Sequence, residues 1–242
     1  MNSKDETPRP ASSVIPVRQT EGGGFEVYMT RRQDSLAVLG GFFVFPGGTI
    51  DPADSSDDIF RRCIGLNPAK AFDILGSGVT DPATAMAHWV AAARELFEEA
   101  GVLPAYDSKG HFLNFGQKTL RKRFYSYRNE LQHGNLKFLE MLEKEKLTLA
   151  TDRLYYFKHL VTPPGPWRRF DTRFFVMSIS EEQRPRFHEA EVSEGYWAQP
   201  IKALQKAHSG EWKMITPTIM VLSALAEYES AEELLNSLSG QM

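Results

Sequence analysis

Residues 81–102 read Asp81-Pro82-Ala83-Thr84, then an alanine-rich run, then Arg94-Glu95-Leu96-Phe97-Glu98-Glu99-Ala100-Gly101-Val102. The stretch predicts one helix with both ends specified. Asp81 is a good N-cap, because its carboxylate accepts from the orphan N–H groups of the first turn. Pro82 suits the first helical position, where a missing N–H costs nothing. Gly101 takes the left-handed conformation that ends a helix. Trp89, Val90, Ala93, Leu96, Phe97 and Ala100 recur at helical spacing and supply a buried stripe. Glu95, Glu98 and Glu99 stand at i, i+3 and i+4 and share a different face. Like charges so placed cost about 0.2–0.5 kcal/mol per pair, and the cation beside them is Arg94. Two readings follow: a solvated acidic face, or a seat for a hard divalent cation such as Mg²⁺, which prefers carboxylate oxygens.

Upstream lies Phe45-Pro46-Gly47-Gly48-Thr49-Ile50-Asp51-Pro52-Ala53-Asp54. By itself it reads as a turn. Together the two segments resemble the Nudix box, G-x(5)-E-x(7)-R-E-U-x-E-E-x-G-U with U aliphatic. The second half matches at every specified position from Arg94 to Val102. Gly48 supplies the leading glycine, and Asp54 stands where the family has a glutamate. Arg94 follows Gly48 by 46 positions where the pattern needs 14, so about 32 residues interrupt the box. Position 86, which an uninterrupted box would fill with glutamate, is Met86.

The chain has 242 residues, 42% apolar and 24% charged, with a formal charge of −3. That is ordinary globular chemistry with room for a sizeable core, and gives no global electrostatic reason for a polyanion partner. The one cysteine, Cys63, excludes an intramolecular disulfide, suits a reducing compartment and reads as a small buried apolar residue. No signal-peptide pattern and no bilayer-length apolar run is visible, so a cytoplasmic protein is expected.

In chain order, residues 1–10 read as a loose terminus. Strands are expected over 12–19 and 25–30, around a glycine-rich turn at 20–24. Arg31 and Arg32 follow, either a soluble surface pair or forks for diphosphate oxygens. Residues 57–63 and 68–75, inside the interrupted box, predict two short helices beside the site. Further helices are expected over 118–131, 136–147 and 201–207 and from Thr216 onward, and strands over 153–161 and 170–180. The aromatics Phe124, Tyr125 and Tyr127 among lysines and arginines read as a solvated helix face with a core stripe, with nucleic-acid binding as the rival. Between the last two strands, Thr162-Pro163-Pro164-Gly165-Pro166-Trp167-Arg168-Arg169 is either an edge loop with a packed Trp or a loop whose indole stacks a base while Arg168 and Arg169 hold phosphate.

The resemblance covers about residues 25–228 and implies one Nudix hydrolase domain over 1–242, with insertions at about 52–80 and 104–150. Its fold is α/β (α+β), an α/β/α sandwich with a mixed sheet. The broken box and the Thr-Pro…Arg-Arg-Phe-Asp-Thr segment look like the branch that includes peroxisomal coenzyme A diphosphatases, which implies a coenzyme A or acyl-CoA substrate. Of the coenzyme A signature S-x(3)-R-x(3)-G-x(3)-F-P-G-G, Gly41 and Phe45 to Gly48 match, while Gln33 and Ala37 replace the serine and arginine. No peroxisomal tripeptide is visible at Gly240-Gln241-Met242.

By matching position, Glu98, Glu99 and the Gly48 carbonyl would hold Mg²⁺ or Mn²⁺. Glu191, six residues before Trp197, would complete the set, with Glu194 in reserve. Glu95 would take or position the water proton, Glu98 would share in catalysis, and Arg94 would hold a glutamate in place. Substrate contacts are expected at Arg31, Arg32, Trp167, Arg168 and Arg169. The expected partner is a small nucleoside diphosphate derivative, with neither nucleic acid nor membrane, and a homodimer stays open. Two rivals remain: a sensor that binds a nucleotide without cutting it, and a related isomerase that needs a cysteine at the site, which Cys63 inside the insertion argues against.

Overall fold

The computed structural model describes residues 7–36, 38–164, 168–180, 183–186 and 192–240. Glu191 and Trp167, singled out above, lie outside the described residues. Strand β1 (Arg9–Gln19) is the axis of a sheet that it forms with β2 (Phe25–Arg32), β3 (Phe43–Val44), β4 (Gly47–Thr49), and, after five helices, further strands. Those later strands are β7 (Tyr155–Val161), β8 (Phe170–Ser178) and β9 (Val192–Ala198), a two-residue pair β5 (Ala105–Tyr106) and β6 (Thr148–Leu149) standing apart. Among the described residues the order is β3-β2-β1-β8-β7, with β4 also on β1 and β9 also on β2. β1 and β8 are parallel from Arg9↔Phe170 to Val17↔Ser178, and the other pairs are antiparallel, so the sheet is mixed.

Period-two alternation sends neighbouring side chains to opposite faces. Val14 on β1 and Phe175 and Met177 on β8 enter one core, while Ile15, Val17, Phe174 and Val176 enter the other. The first core is covered by α2 (Pro68–Leu75), α3 (Pro82–Ala100), α4 (Lys118–Gln132) and α5 (Phe138–Lys144). The second is covered by α6 (Pro200–His208), α7 (Thr216–Leu225) and α8 (Ala231–Ser239). The α/β/α sandwich is therefore present.

Helix α3 forms as its caps specify. Asp81 accepts from the Thr84 N–H at 2.8 Å, and Gly101 closes the helix at φ 67°. The expected stripe is fully buried, but so are Ala85 to Ala93 on every side, which one stripe does not foretell. The reason is α2, which packs along α3 opposite the sheet, and the alanines let both neighbours come close. Trp89 anchors the helix by donating from Nε1 to the Leu154 carbonyl at 2.9 Å.

The box insertion supplies α1 (Asp57–Phe60) and α2. The helix expected over 57–63 stops at Phe60, because the chain then turns to bond the 148–152 segment. Ile64 N–H donates to the Leu149 carbonyl at 2.9 Å, and Thr151 Oγ1 donates to the Ile64 carbonyl at 2.6 Å. β1 begins at Arg9, inside the terminus expected to be loose, because it pairs there with Phe170. β9 and α8 are not among the expected elements, although Ser230 three residues before Glu233 is a helix-start pattern for α8. Among the described residues no helix is long and apolar enough to cross a membrane.

One buried histidine gives the fold a pH dependence. His88 on α3 shares a 2.9 Å hydrogen bond with Ser12 Oγ on β1 and is 1% exposed. Burial, and then the charge of Arg173, pushes its pKa down to about 3. Between that value and the ordinary 6.5 the unfolded chain binds a proton that the folded chain refuses, so stability rises with pH through this window. The expected result is full stability above about pH 6.5 and a loss approaching ~1.4 kcal/mol per pH unit as the pH falls toward 4. Thermal melts of wild type and His88→Gln from pH 7 to 4 check this, and the variant's curve is expected to be the flatter.

Candidate active site

The site is built where α3 ends beside the β1–β4 edge. Ser12 and Ser13 on β1 pair with Gly48 and Gly47 on β4, so the glycine strand lies flat against β1. Side chains there have no room: a Cβ on Gly47 would meet the Ser12 carbonyl, and one on Gly48 would run into the Glu95 carboxylate. The two glycines that read as a turn are thus a strand edge that lets backbone approach the helix glutamates.

Arg94 organises the acids. Its Nε and Nη2 donate to both oxygens of Asp54 at 3.0 and 2.9 Å, Nη2 also reaches the Thr49 carbonyl at 3.0 Å, and Nη1 donates to Glu95 at 2.7 Å. Glu98 lies 3.6 Å from Nη1. Burial works against the charged guanidinium, but the hydrogen bonds to Asp54 and the charges of Glu95, Asp54 and Glu98 outweigh it, so the pKa moves up and Arg94 stays charged. Asp54 is brought in by a one-turn helix over Pro52–Ser55, capped by Asp51 and holding the Asp51 N–H at 2.8 Å. The shorter side chain still engages Arg94 through both oxygens. Glu99 accepts from the Gly47 N–H at 3.0 Å and faces Arg32 at 3.6 Å.

A cavity of about 450 Å³ opens over these groups. Glu95, Glu98 and Glu99 line one side and Arg9, Arg32 and Arg168 also line it, among apolar walls that include Val38, Leu39, Phe170 and Ile215. Leu39 holds φ 56°, a conformation unfavourable for a branched apolar residue, in that wall. The structure therefore gathers Glu95, Glu98, Glu99, Gly48, Arg32 and Arg168 around one space, with Arg94 behind them.

Other expected contacts fall elsewhere. The Arg31 guanidinium is taken by Asp34 at 2.7 Å and by Ser193 at 3.2 Å, and Arg31 does not line the cavity. Arg169 donates to the Thr162 carbonyl at 3.0 Å and is likewise outside the lining. Glu194 pairs opposite Arg31 on β9, exposed and away from the cavity. None of the described lining residues comes from 52–80, so the insertion delivers Asp54 and then runs off along α3 rather than forming a wall. Cys63 is also absent from the lining, and burial pushes its thiol up to about 12. Sequence reasoning missed Arg9, Gln132 and Thr218, which do line it.

The donor set suits a hard cation. Glu95, Glu98 and Glu99 present carboxylate oxygens to the cavity, while Asp54 offsets the charge of Arg94 behind them. Among the described residues no group of three His, Cys, Asp or Glu side chains has metal-site geometry, because Glu95 is turned to Arg94 and Glu99 to the Gly47 amide.

A mixed sheet between helical layers, with a glutamate helix facing a Gly-Gly strand across a cavity, defines a Nudix hydrolase. The family model described as the NUDT19 Nudix domain matches residues 3–225, and the chain belongs to that family. It is 26% identical over 220 residues to the putative nudix hydrolase 7 of Caenorhabditis elegans, covering 90% of this chain and 61% of that one. It is 28% identical over 254 residues to the acyl-coenzyme A diphosphatase NUDT19 of Homo sapiens, covering 93% of this chain and 67% of that one. The chain thus spans roughly three-fifths to two-thirds of the length of these relatives. A crystal structure of a NUDIX hydrolase from Alicyclobacillus acidocaldarius superposes with a TM-score of 0.76 at 29% identity, covering 97% of this chain and 98% of that one.

Proposed function

We propose that this Nudix hydrolase cuts a diphosphate bond in a nucleoside diphosphate-linked small molecule, with coenzyme A or an acyl-CoA as the substrate class. The observation that carries the reading is one cavity lined, among the described residues, both by three carboxylates and by three guanidiniums. Arg9, Arg32 and Arg168 suit diphosphate oxygens, which guanidinium forks bind in pairs. Val38, Leu39, Phe170 and Ile215 offer an apolar surface to the rest of the substrate. Glu95, fixed by Arg94, takes or positions the proton of the attacking water. Mg²⁺ or Mn²⁺ held by Glu98, Glu99, the Gly48 carbonyl and Glu191 would neutralise the diphosphate charge and lower the pKa of water. The name of the human relative supports the acyl-CoA assignment, and cytoplasmic action on a free small molecule is part of the proposal.

Product analysis tests it. Purified protein with Mg²⁺ or Mn²⁺ is offered coenzyme A, acyl-CoA, ADP-ribose, NADH and dinucleoside polyphosphates. The expected product is 3′,5′-ADP from the coenzyme A substrates, abolished by chelator. Cleavage of another member alone would keep the reaction and move the substrate. Binding without cleavage of any of them would favour the sensor.

A further inference from the structure

A second cavity, of about 700 Å³, lies beyond the C-terminal end of α3. Among the described residues, six of the twelve that line it are cations and none is acidic, in a chain whose formal charge is −3. Its floor is apolar, made by Phe97, Phe115 and Phe124, all under 8% exposed. On its rim, Lys118, Arg121, Lys122 and Tyr125 form an i, i+3, i+4, i+7 stripe along α4. Tyr125 is 56% exposed, whereas its aromatic neighbours Phe124 and Tyr127 are buried, so the aromatic run seen in the sequence divides into core and open surface.

The stripe is placed against local stability. Its cations repel one another, and they crowd the first turns of α4, where the helix dipole favours anions. No acid stands in that first turn and Gln117 makes no side-chain cap. Among the described residues no carboxylate pairs with Lys118, Arg121 or Lys122. Two more cations, Arg184 and Arg186, come to the same space from the segment after β8. Arg128, 3% exposed, closes the inner wall by donating to the Glu98 and Arg186 carbonyls at 2.9 Å, and burial pulls its pKa down to about 10. The volume falls within the range of about 300–1,000 Å³ usual for small-ligand sites.

We infer that this cavity is a second, non-catalytic binding site for a multiply phosphorylated nucleotide, its phosphates on the Lys118–Arg121–Lys122 rim and its base against Tyr125 and the phenylalanine floor. Its cationic rim is offset from the hydrolytic site, although the inner walls adjoin: Arg128 is one turn from Gln132, which lines the catalytic cavity, whereas Arg121 stands eleven residues before Gln132, or about 16 Å along the helix. The inference therefore does not depend on the substrate proposed above. An apolar floor under a cationic rim fits a free nucleotide better than a single-stranded nucleic acid, because the cavity is a pocket with one exposed ring rather than a groove with several.

The test uses the full chain with ADP in chelator at low salt, and reads hydrogen exchange of residues 115–128 as a local report. ADP is expected to slow exchange there. The triple variant Lys118→Ser, Arg121→Ser, Lys122→Ser is expected to weaken this effect at least about tenfold in apparent affinity, or ~1.4 kcal/mol, while keeping wild-type turnover with Mg²⁺. Tyr125→Ala is expected to weaken ADP but leave pyrophosphate unchanged. Exchange unaltered by ADP in this segment would overturn the inference. So would pyrophosphate binding as tightly as ADP, or protection by a single-stranded oligonucleotide alone.

Discussion

Glu98→Gln is expected to lower kcat by about 10²–10⁴-fold, the range for losing an essential acid–base or charged group, while the protein melts as wild type. The geometry separates the two effects. Glu98 is the least buried of the three helix glutamates, its side chain 22% exposed against 14% for Glu95 and 4% for Glu99. Its distance to Arg94, 3.6 Å, is longer than the 2.7 Å of Glu95. Glutamine keeps the volume and one acceptor oxygen, so the change in folding free energy should stay within about 0.5 kcal/mol, as for surface substitutions. What disappears is negative charge facing the cavity. Glu95→Gln is a poorer probe, because it removes the charge that Arg94 holds at hydrogen-bond distance and so mixes a folding loss with a catalytic one. The measurement is kcat and KM with the best substrate of the panel, beside a thermal melt of each variant. Turnover near that of wild type in folded Glu98→Gln would remove Glu98 from the reaction.

The helix half of this site was legible because its signals are local. Caps act within one turn, and the 3.6-residue period puts Glu95, Glu98 and Glu99 together whatever surrounds them. The same period gave the buried stripe of α3. It could not show that the first half of α3 is buried all round, since that depends on α2 folding back from the insertion. The arginine side was less legible because it depends on register. Arg31 and Arg32 are neighbours on β2 and point opposite ways, and only the sheet decides that Arg32 meets Glu99 while Arg31 meets Asp34. Arg9 enters the site because β1 and β8 run parallel across the middle of the sheet, a pairing of residues about 160 positions apart. No window of sequence holds that information. β9 was missed because its side chains alternate around Gly195 with charged Glu194 among them, which reads as an acidic loop.

Asp54→Ala is expected to cost about 3 kcal/mol of stability, the low end for removing one partner of a buried ion pair, and to lower activity by about 10–100-fold through misplaced Glu95. The low end applies because Arg94 keeps Glu95 and the Thr49 carbonyl after Asp54 is gone. Asp54 is 1% exposed and uses both oxygens on Arg94 while also holding the Asp51 N–H, so its loss takes the acceptor from the Arg94 Nε and from the Asp51 N–H at a buried place. The informative comparison is Asp54→Glu, which restores the residue found at this position in the Nudix box. Here the turn already brings the shorter carboxylate into contact at a place only 1% exposed, so an added methylene is expected to overpack it and cost about 1–3 kcal/mol of stability. A double-mutant cycle with Arg94→Met isolates the pair: a coupling energy of 0.5–3 kcal/mol is the range for residues in direct contact. Denaturant unfolding of the four proteins measures it. If Asp54→Ala unfolds with wild-type stability and Asp54→Glu is the more active enzyme, the aspartate is a poor substitute for glutamate, and Glu95 and the Thr49 carbonyl suffice to position Arg94.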